Sequence, residues 1–330
     1  MRRALLRRPL TAAGTVLMVL TLAFAIVHLA PGDPVRLYLG PSADAAAARA
    51  MRHQLGLDRP LPLQYVSWLA HAAAGDFGAS IAQHRPAGAV LRDALGPTLL
   101  LTSLSLLFSW LGGLAIGAAQ AARRGSRLDH ALTALTVAVQ AVPAYVLGLG
   151  LVLVFSYGAA LWGWPAALRL PAMGAASVGA DFLPAGARLA DRLRHLVLPA
   201  LTLAAIGAAG AARYVRAATL DALRLPSVRV ARAKGLGESR VILTHAVRGA
   251  LLPLLTLAAL QLPALFSGAV FVESIFAWPG MGRVAVQAVL ARDYPVVMAV
   301  TAVFATLVVL ANLMADALAA IADPRTREGA

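Results

Sequence analysis

Apolar residues occur in long runs along the chain, and basic residues collect in the short segments between them. A helix that crosses a bilayer needs about 20 mostly apolar residues, because the hydrocarbon layer is roughly 30 Å thick. Six stretches meet or approach this length, and together they predict an all-α polytopic membrane protein with six transmembrane helices. They are 10–30, 98–122, 131–157, 196–212, 249–272 and 295–315.

The first apolar run follows four arginines, and a secretory signal peptide also begins with basic residues. The run is longer than the usual signal core of about 7–15 residues. Pro31-Gly32-Asp33-Pro34 stands where small residues would precede a cleavage site. We therefore interpret 10–30 as an uncleaved span.

The distribution of basic residues predicts the orientation of the chain. With six spans, both termini lie on one side of the membrane. If that side is the cytoplasm, the inner segments hold 17 basic residues in 68 positions and the outer segments hold 12 in 127. The inner segments are then 1–9, 123–130, 213–248 and 316–330. Because cytoplasmic loops are enriched in Lys and Arg, we expect cytoplasmic N and C termini.

Composition narrows the chemistry of the chain. Only 13% of the 330 residues are charged and 60% are hydrophobic, whereas about a quarter of an ordinary soluble domain is charged. This excludes an ordinary soluble enzyme. The net charge of +14 comes from arginines beside spans, so it favours a lipid bilayer and not nucleic acid as the partner. The absence of cysteine excludes disulfides and thiolate metal sites.

The single lysine of the chain, Lys234, bears on nucleotide binding. A P-loop requires Ser or Thr directly after its lysine, and here Gly235 follows. ATP hydrolysis by that machinery would therefore have to occur on another chain.

The outer segment 31–97 carries signals for two helices. Ser42 can cap a first helix that Gly56 closes, and a second helix is predicted over 62–74, closed by Gly75. We expect a small extracytoplasmic helical cap. The later outer segment 158–195 is rich in Gly, Pro and Ala, and predicts an irregular loop.

The inner segment 213–248 predicts a helix, a break, a two-turn helix, a tight turn and another helix. The residues expected to break, cap or turn the chain are, in order, Pro226, Ser227, Gly235, Gly237 and Ser239. The two-turn helix mixes basic and apolar residues. Such a helix can dock into a groove of a partner, or it can be a basic loop that only sets topology.

Short strings of residues, in a fixed order over nearly the whole chain, resemble the permease subunits of binding-protein-dependent ABC importers. The resemblance is to the dipeptide, oligopeptide and nickel family. The strings are His28-Leu29-Ala30-Pro31-Gly32-Asp33-Pro34, Gly75-Asp76-Phe77-Gly78, Ala231-Arg232-Ala233-Lys234-Gly235-Leu236, Phe276-Ala277-Trp278-Pro279-Gly280-Met281-Gly282, Arg292-Asp293-Tyr294-Pro295 and Asp323-Pro324-Arg325.

The resemblance implies a type I ABC importer transmembrane domain with a coupling loop, called the EAA loop, at about 221–248. The family pattern of Glu-Ala-Ala, three residues and Gly matches here only at Ala231 and Gly235. The implied coupling residues are Arg229, Val230, Ala231, Arg232, Ala233, Lys234, Gly235, Leu236 and Gly237. The implied domains are 1–97 (first span and helical cap), 98–324 (core) and 325–330 (cytoplasmic tail).

By the same resemblance, the chain forms half of the import path for di- or oligopeptides across the bacterial cytoplasmic membrane. Its implied partners are a second homologous permease, two ATPase subunits and an extracytoplasmic substrate-binding protein. ATP and Mg would bind to the ATPases, and this chain would hold no cofactor and no catalytic site. Nickel or a nickel chelate is the alternative cargo, since Pro171-Ala172-Met173-Gly174 is similar to nickel-branch permeases; however, His53, His71 and His84 lack metal-ligand spacing.

Two other classes of function are weaker alternatives. A self-sufficient secondary transporter predicts ionisable residues in the middle of spans, whereas Glu273, Asp316, Arg213 and Arg216 lie near span ends, where we expect them to be solvated anchors. An intramembrane enzyme needs a paired nucleophile and base, and the third span offers only Ser156. The glycines Gly113, Gly117, Gly207 and Gly210 predict close helix packing, inside this chain or against a second subunit.

Overall fold

The computed structural model describes residues 2–29, 44–54, 56–237, 240–247 and 269–322, together with Val35 and Leu39. The principal elements of this part of the chain are α-helices. They are α1 (Arg2–Leu29), α2 (Ala45–Gln54), α3 (Leu61–Ala73), α4 (Ala87–Ala122), α5 (Arg127–Ala141), α6 (Ala144–Val152), α7 (Ala185–Ala222), α8 (Pro226–Ala233), α9 (Met281–Leu290) and α10 (Tyr294–Ala322). Helix α6 continues through a π-helical turn, Leu153–Gly158, into Ala159–Leu161.

Five helices of the described residues are long and apolar enough to cross a membrane. They are Leu10–Leu29 in α1, all of α4, Ala144–Leu161, all of α7 and Tyr294–Ala317 in α10. These confirm the all-α polytopic prediction at five of the six expected spans. The remaining span, 249–272, lies outside the described residues except for its end, where 269–275 are helical.

The predicted third span is wrong because it is not one continuous helix. The run 131–157 is divided between α5 and α6, because α5 ends before Val142 and Pro143 precedes α6. Val142 has extended backbone (φ −84°, ψ 127°), as expected for a residue before proline, whose ring disfavours the helical conformation there. The apolar run therefore contains two helices.

The predicted fourth span is too short, and the expected irregular loop ends earlier than 195. Helix α7 already begins at Ala185 and continues to Ala222, with Pro199 inside it. At 1.5 Å per residue its 38 residues extend about 57 Å, well beyond a bilayer core of roughly 30 Å. Charged residues such as Arg188 can therefore belong to the helix and still lie outside the hydrocarbon.

The described residues fall into two compact units. One contains the described residues of 98–279 and 311–322, and the other contains those of 2–97 and 280–310. Each unit has a buried apolar core of its own. The core of the first includes Leu101, Leu198, Phe276 and Trp278, and that of the second includes Val90, Met281, Val296 and Val300.

Glycine brings α4 and α7 together within the first unit. A Cβ added to Gly117 would lie 2.5 Å from the carbonyl oxygen of Ala212 and 2.6 Å from the Cβ of Val215. A Cβ added to Gly113 would collide with Ala211. These two glycines of α4 therefore serve packing inside this chain, which their spacing alone does not decide.

Helix α7 is the most enclosed of the five spans. In the most apolar 18 residues of α7 about 72% are buried, whereas in those of α1 only 11% are buried. It contacts α4 again where Gly207 lies against Ser109, and it approaches α5 where a Cβ on Gly210 would be 3.0 Å from the Gln140 side-chain nitrogen. Helix α7 is thus the helix around which this unit packs.

The second unit contains the predicted helical cap. Helix α3 confirms the helix expected at 62–74 to within one residue, and Gly75 follows it with φ +81°. Tyr65 of α3 hydrogen-bonds Thr21 of α1 at 2.7 Å, and Tyr65 and Trp68 pack near the Phe24 ring. The cap helix α3 therefore rests on the first span. The expected Ser42 cap lies outside the described residues.

Candidate coupling site

The N-terminus of α8 is set by proline and not by a serine cap. Helix α8 begins at Pro226, and Leu225 before it is the N-cap residue, without a side-chain cap. Proline suits the first position of a helix, because its ring fixes φ and the first N–H needs no helical partner. The expected break at Pro226 is confirmed. The expected cap at Ser227 is wrong, since Ser227 is already inside the helix.

The C-terminus of α8 has the two hydrogen bonds of a Schellman motif. The Gly235 N–H donates to the Arg232 carbonyl at 2.9 Å, and the Leu236 N–H donates to the Ala231 carbonyl at 3.4 Å. Gly235 has φ +75°, a conformation that glycine adopts without steric cost. The expected helix end at Gly235 is confirmed.

Gly237 and Ser239 were both expected to shape the next turn. The Gly237 carbonyl accepts hydrogen bonds from the N–H groups of Arg240 (2.9 Å) and Val241 (3.1 Å), so this glycine begins the following helical turn. That turn continues as a π-helical segment, Val241–Ala246. Ser239 lies outside the described residues.

A small apolar cluster holds α8 in place. Val228 and Ala231 are buried, and they form a cluster with Val241. Leu223, just after α7, and Leu236, just after α8, pack against the cluster. The short helix is therefore seated on the chain segments that precede and follow it.

The opposite face of α8 is open to solvent. Most of the nine predicted coupling residues are exposed on this face or in the turn after it: Arg229, Val230, Arg232, Ala233, Lys234, Gly235 and Gly237. Ala231 is buried and Leu236 is half-buried. Val230 is 54% exposed between basic neighbours. The segment therefore presents a basic surface with an apolar centre, supported from below by Val228 and Ala231.

An ion pair joins α5 to α7 nearly two helical turns before the end of α7. Arg216 donates two hydrogen bonds to Asp129, at 2.9 Å from Nε and 2.8 Å from Nη2. The Gly125 N–H also donates to Asp129, at 3.0 Å. These bonds lower the pKa of Asp129 to about 2, the hydrogen bond from Arg216 being the largest cause. Arg216 is a structural anchor, as expected, but it is held by a carboxylate and not by solvent alone, and no motif in the sequence indicated this pair.

Glu273 is buried, contrary to the expectation that it is solvated at a span end. Its side chain is fully enclosed and accepts a hydrogen bond of 2.7 Å from the Thr98 hydroxyl. Its backbone carbonyl accepts from the Trp278 N–H at 2.8 Å, across a turn in which Ala277 has φ +49°. Part of the string 276–282 is thus explained as a tight turn over a buried carboxyl group.

The string Arg292-Asp293-Tyr294-Pro295 also has a structural reason. The buried Asp293 carboxylate accepts a hydrogen bond from the Ser80 hydroxyl and from the N–H groups of Ile81 and Ala82, both at 3.1 Å. It also accepts a longer bond from the Val296 N–H in the first turn of α10, at 3.4 Å. One carboxylate therefore caps α10 and fixes the turn that begins at Ser80.

The fold agrees with that of solved ABC importer permeases. A chain of the inward-facing MetNI methionine ABC transporter aligns with a TM-score of 0.54 and 18% identity, covering 71% of this chain and 96% of that one. This likeness shows a shared fold, the one expected of a type I ABC importer transmembrane domain.

Sequence comparison identifies the family. Residues 112–328 match the model for the binding-protein-dependent transport system inner membrane component, and residues 1–99 match the N-terminal model of these systems. The chain is 39% identical over 322 residues to the glutathione transport system permease protein GsiC of Salmonella choleraesuis, covering 98% of each. It is 38% identical to the oligopeptide transport system permease protein AppB of Bacillus subtilis, covering 97% of this chain and 98% of that protein.

The chain belongs to the family of permeases of binding-protein-dependent ABC importers. It is therefore a multi-pass protein of the bacterial inner membrane that works with an ATPase and a substrate-binding protein. The resemblance in its short strings is confirmed over nearly its whole length.

Proposed function

We propose that this chain is one half of the translocation path of an ABC importer for di- and oligopeptides. The observation that carries the proposal is the similarity, at 38–39% identity over at least 97% of the chain, to permeases named for glutathione and oligopeptides. Glutathione is itself a short peptide, so both relatives point to one chemical class of cargo.

The proposed assembly contains a second homologous permease, two ATPase subunits and an extracytoplasmic binding protein. ATP and Mg bind on the ATPases, and this chain catalyses no covalent step and carries no cofactor. The basic segments 123–130 and 213–248 support cytoplasmic N and C termini. The proposed organisation is a first span with an outer helical cap (1–97), a core (98–324) and a cytoplasmic tail (325–330).

In the proposed mechanism, α8 and the turn after it seat in a groove of an ATPase subunit. Val230 fills the apolar part of that groove, and Arg229 and Lys234 meet acidic groups at its rim. When ATP binding draws the ATPases together, α8 moves with them. Nucleotide thereby favours one of two conformations of the membrane helices, which is the general form of such coupling.

The route from α8 into the membrane follows from the packing. Only Leu223, Arg224 and Leu225 separate α7 from α8. Helix α7 is in close contact with α4 through Gly113 and Gly117, where no space is left between the backbones. A displacement of α8 is therefore passed to two spans together, because closely packed helices move as a unit.

The cargo is tested by uptake into proteoliposomes that contain the whole assembly and its binding protein. Labelled dipeptides, a longer oligopeptide, glutathione and Ni²⁺ are offered separately, with ATP supplied to the ATPase side. We expect ATP-dependent uptake of peptides. Uptake of Ni²⁺ alone would overturn the peptide proposal, and uptake without any ATPase would overturn the importer mechanism.

The docking role of α8 is tested by Val230→Asp, which places a charge in the apolar centre of the exposed face. The control is Val178→Asp, because Val178 is an exposed valine as well but lies in the segment before α7. We expect the ATPase to be lost from the purified Val230→Asp complex and retained with the control. Equal retention in both variants would refute the docking surface.

A further inference from the structure

A cleft of about 500 Å³ opens between the turn after α4 and the end of α7. Four arginines line it: Arg123 and Arg124 from the turn, Arg224 from the segment between α7 and α8, and Arg232 from α8. Most of the remaining lining residues are apolar, including Leu220, Leu223 and Ile242. The cleft belongs entirely to the first unit.

The charged side chains that line the cleft in the described part of the chain are all basic. Among the described residues, no carboxylate lines it. The nearest buried carboxylate in sequence, Asp129, is already engaged by Arg216 and by the Gly125 N–H. Arg123, Arg124 and Arg224 bring positive charges to one space, and an anion placed among them lowers their mutual repulsion. Guanidinium groups bind phosphate especially well, because their planar N–H groups match its oxygen atoms.

The position of the cleft favours a lipid as the source of the phosphate. Arg123 and Arg124 directly follow Ala122, the last residue of the apolar helix α4, and basic residues beside a span are typical of the zone of anionic headgroups. The apolar part of the wall suits the glycerol and first methylenes of a lipid, which a small soluble anion would leave uncovered. Basic pockets beside membrane spans are known binding sites for anionic headgroups.

We propose that this cleft binds the phosphate group of an anionic phospholipid, and that the bound lipid steadies α8 against the end of α4. The second half rests on the proposed coupling role of α8, since Arg224 lies in the three-residue segment that leads into that helix. Binding itself requires no such role, so the two halves can fail separately.

Binding is tested by chemical protection in lipid nanodiscs. The chain has no cysteine, so Ala122→Cys places one thiol in the cleft and Arg127→Cys places one just outside it. Maleimide labelling of this chain is followed by mass spectrometry, with the full complex in phosphatidylcholine or in phosphatidylglycerol. We expect phosphatidylglycerol to slow labelling at position 122 at least five-fold and to leave position 127 unchanged.

Three outcomes would overturn lipid binding. They are no protection by phosphatidylglycerol, equal protection by millimolar inorganic phosphate in phosphatidylcholine, and protection that appears only when the ATPase is bound. The second would indicate a free anion and the third an acidic segment of a protein partner.

The role of the arginines is tested by the triple variant Arg123→Gln, Arg124→Gln and Arg224→Gln, with Arg127→Gln as the matched control. We expect the triple variant, made in the Ala122→Cys background, to lose the protection. We also expect it to lose the difference in peptide transport per ATP between the two lipids, which the control keeps. Lost protection with an unchanged difference would leave a lipid site but overturn its effect on coupling.

Discussion

Two regions of the first unit depend on glycine for opposite physical reasons. In the contact between α4 and α7, Gly117 is required because there is no space for a Cβ, which would lie 2.5 Å from a backbone oxygen. At the end of α8, a Cβ on Gly235 would meet nothing within 4 Å. Gly235 is required instead because its φ is +75°. The first region is fixed by its neighbours and the second by its own backbone.

The difference shows how the fold separates rigidity from mobility. A contact without free volume forces two spans to move together. A two-turn helix seated on three apolar side chains, and ended by a single left-handed residue, depends on fewer contacts for its position. Both positions are glycine, and substitutions can distinguish the two requirements.

The largest loss of stability is expected from Gly117→Ala. The added methyl group meets a backbone oxygen and a β-carbon, and neither can rotate away, so α4 and α7 must separate at a cost of about 3 kcal/mol or more. The matched control is Gly186→Ala in α7, where a Cβ meets nothing. We expect the thermal unfolding midpoint of the purified complex to fall for Gly117→Ala only. Equal midpoints would mean that the contact is loose.

A smaller loss of stability is expected from Asp129→Asn. This substitution breaks the ion pair between α5 and α7, and α7 belongs to the closely packed region of the comparison. Lowering a carboxyl pKa from 3.8 to about 2 contributes about 2 kcal/mol at neutral pH. Because the folded-state pKa is depressed, this contribution is present above about pH 4 and is lost as the pH falls toward 2. The exposed Asp181→Asn serves as the control.

The measurement for Asp129 is stability against pH. Wild type should lose its advantage over Asp129→Asn between about pH 4 and pH 2, and Asp181→Asn should follow wild type throughout. An advantage that persists unchanged at pH 2 would show that the pair is not the source of the difference.

The smallest change in stability, and the largest change in function, is expected from Gly235→Val. A β-branched residue in the left-handed region costs about 1–2 kcal/mol, so the chain still inserts and folds. We expect fewer peptides to be transported per ATP hydrolysed, with Gly235→Asn less affected because Asn tolerates this conformation. Gly163→Val is the matched control. Gly163 also has a positive φ, +70°, and an added Cβ there would meet nothing, but it lies outside the coupling segment.

Gly163→Val should lose similar stability and keep its transport normal. Normal transport by Gly235→Val would refute the assignment of this turn to coupling. Uncoupling by both variants would show that strain anywhere in the chain is sufficient, and that the location of Gly235 is irrelevant.

The features that the sequence predicts well depend on local chemistry. Pro226 and Gly235 set the limits of α8 through restrictions on their own backbones, so single residues were enough to place the ends of the helix. The apolar runs likewise predicted the spans, because solvation by lipid acts on composition. Pro143 carried a comparable local signal, yet a charge-free run of 131–157 obscured it.

The features that it does not predict depend on residues far apart in the chain. Asp129 and Arg216 are 87 positions apart, and Thr98 and Glu273 are 175 apart. Composition places each of these side chains near the end of a span, where solvation is the ordinary expectation. Only the folded chain brings their hydrogen-bond partners to them, and these partners offset the free-energy cost of burying a carboxyl group.

Pro199 is the position at which α7 is easiest to bend. The proline lacks the N–H of a regular helix, so bending there costs least. From Pro199 to Ala222 the helix extends about 35 Å, and a rotation of about 5° at the proline carries the far end through about 3 Å. Since Ala211 and Ala212 lie on that arm, α4 is carried with it. A small rotation of α7 at Pro199 would thereby move α8 by about the diameter of an atom.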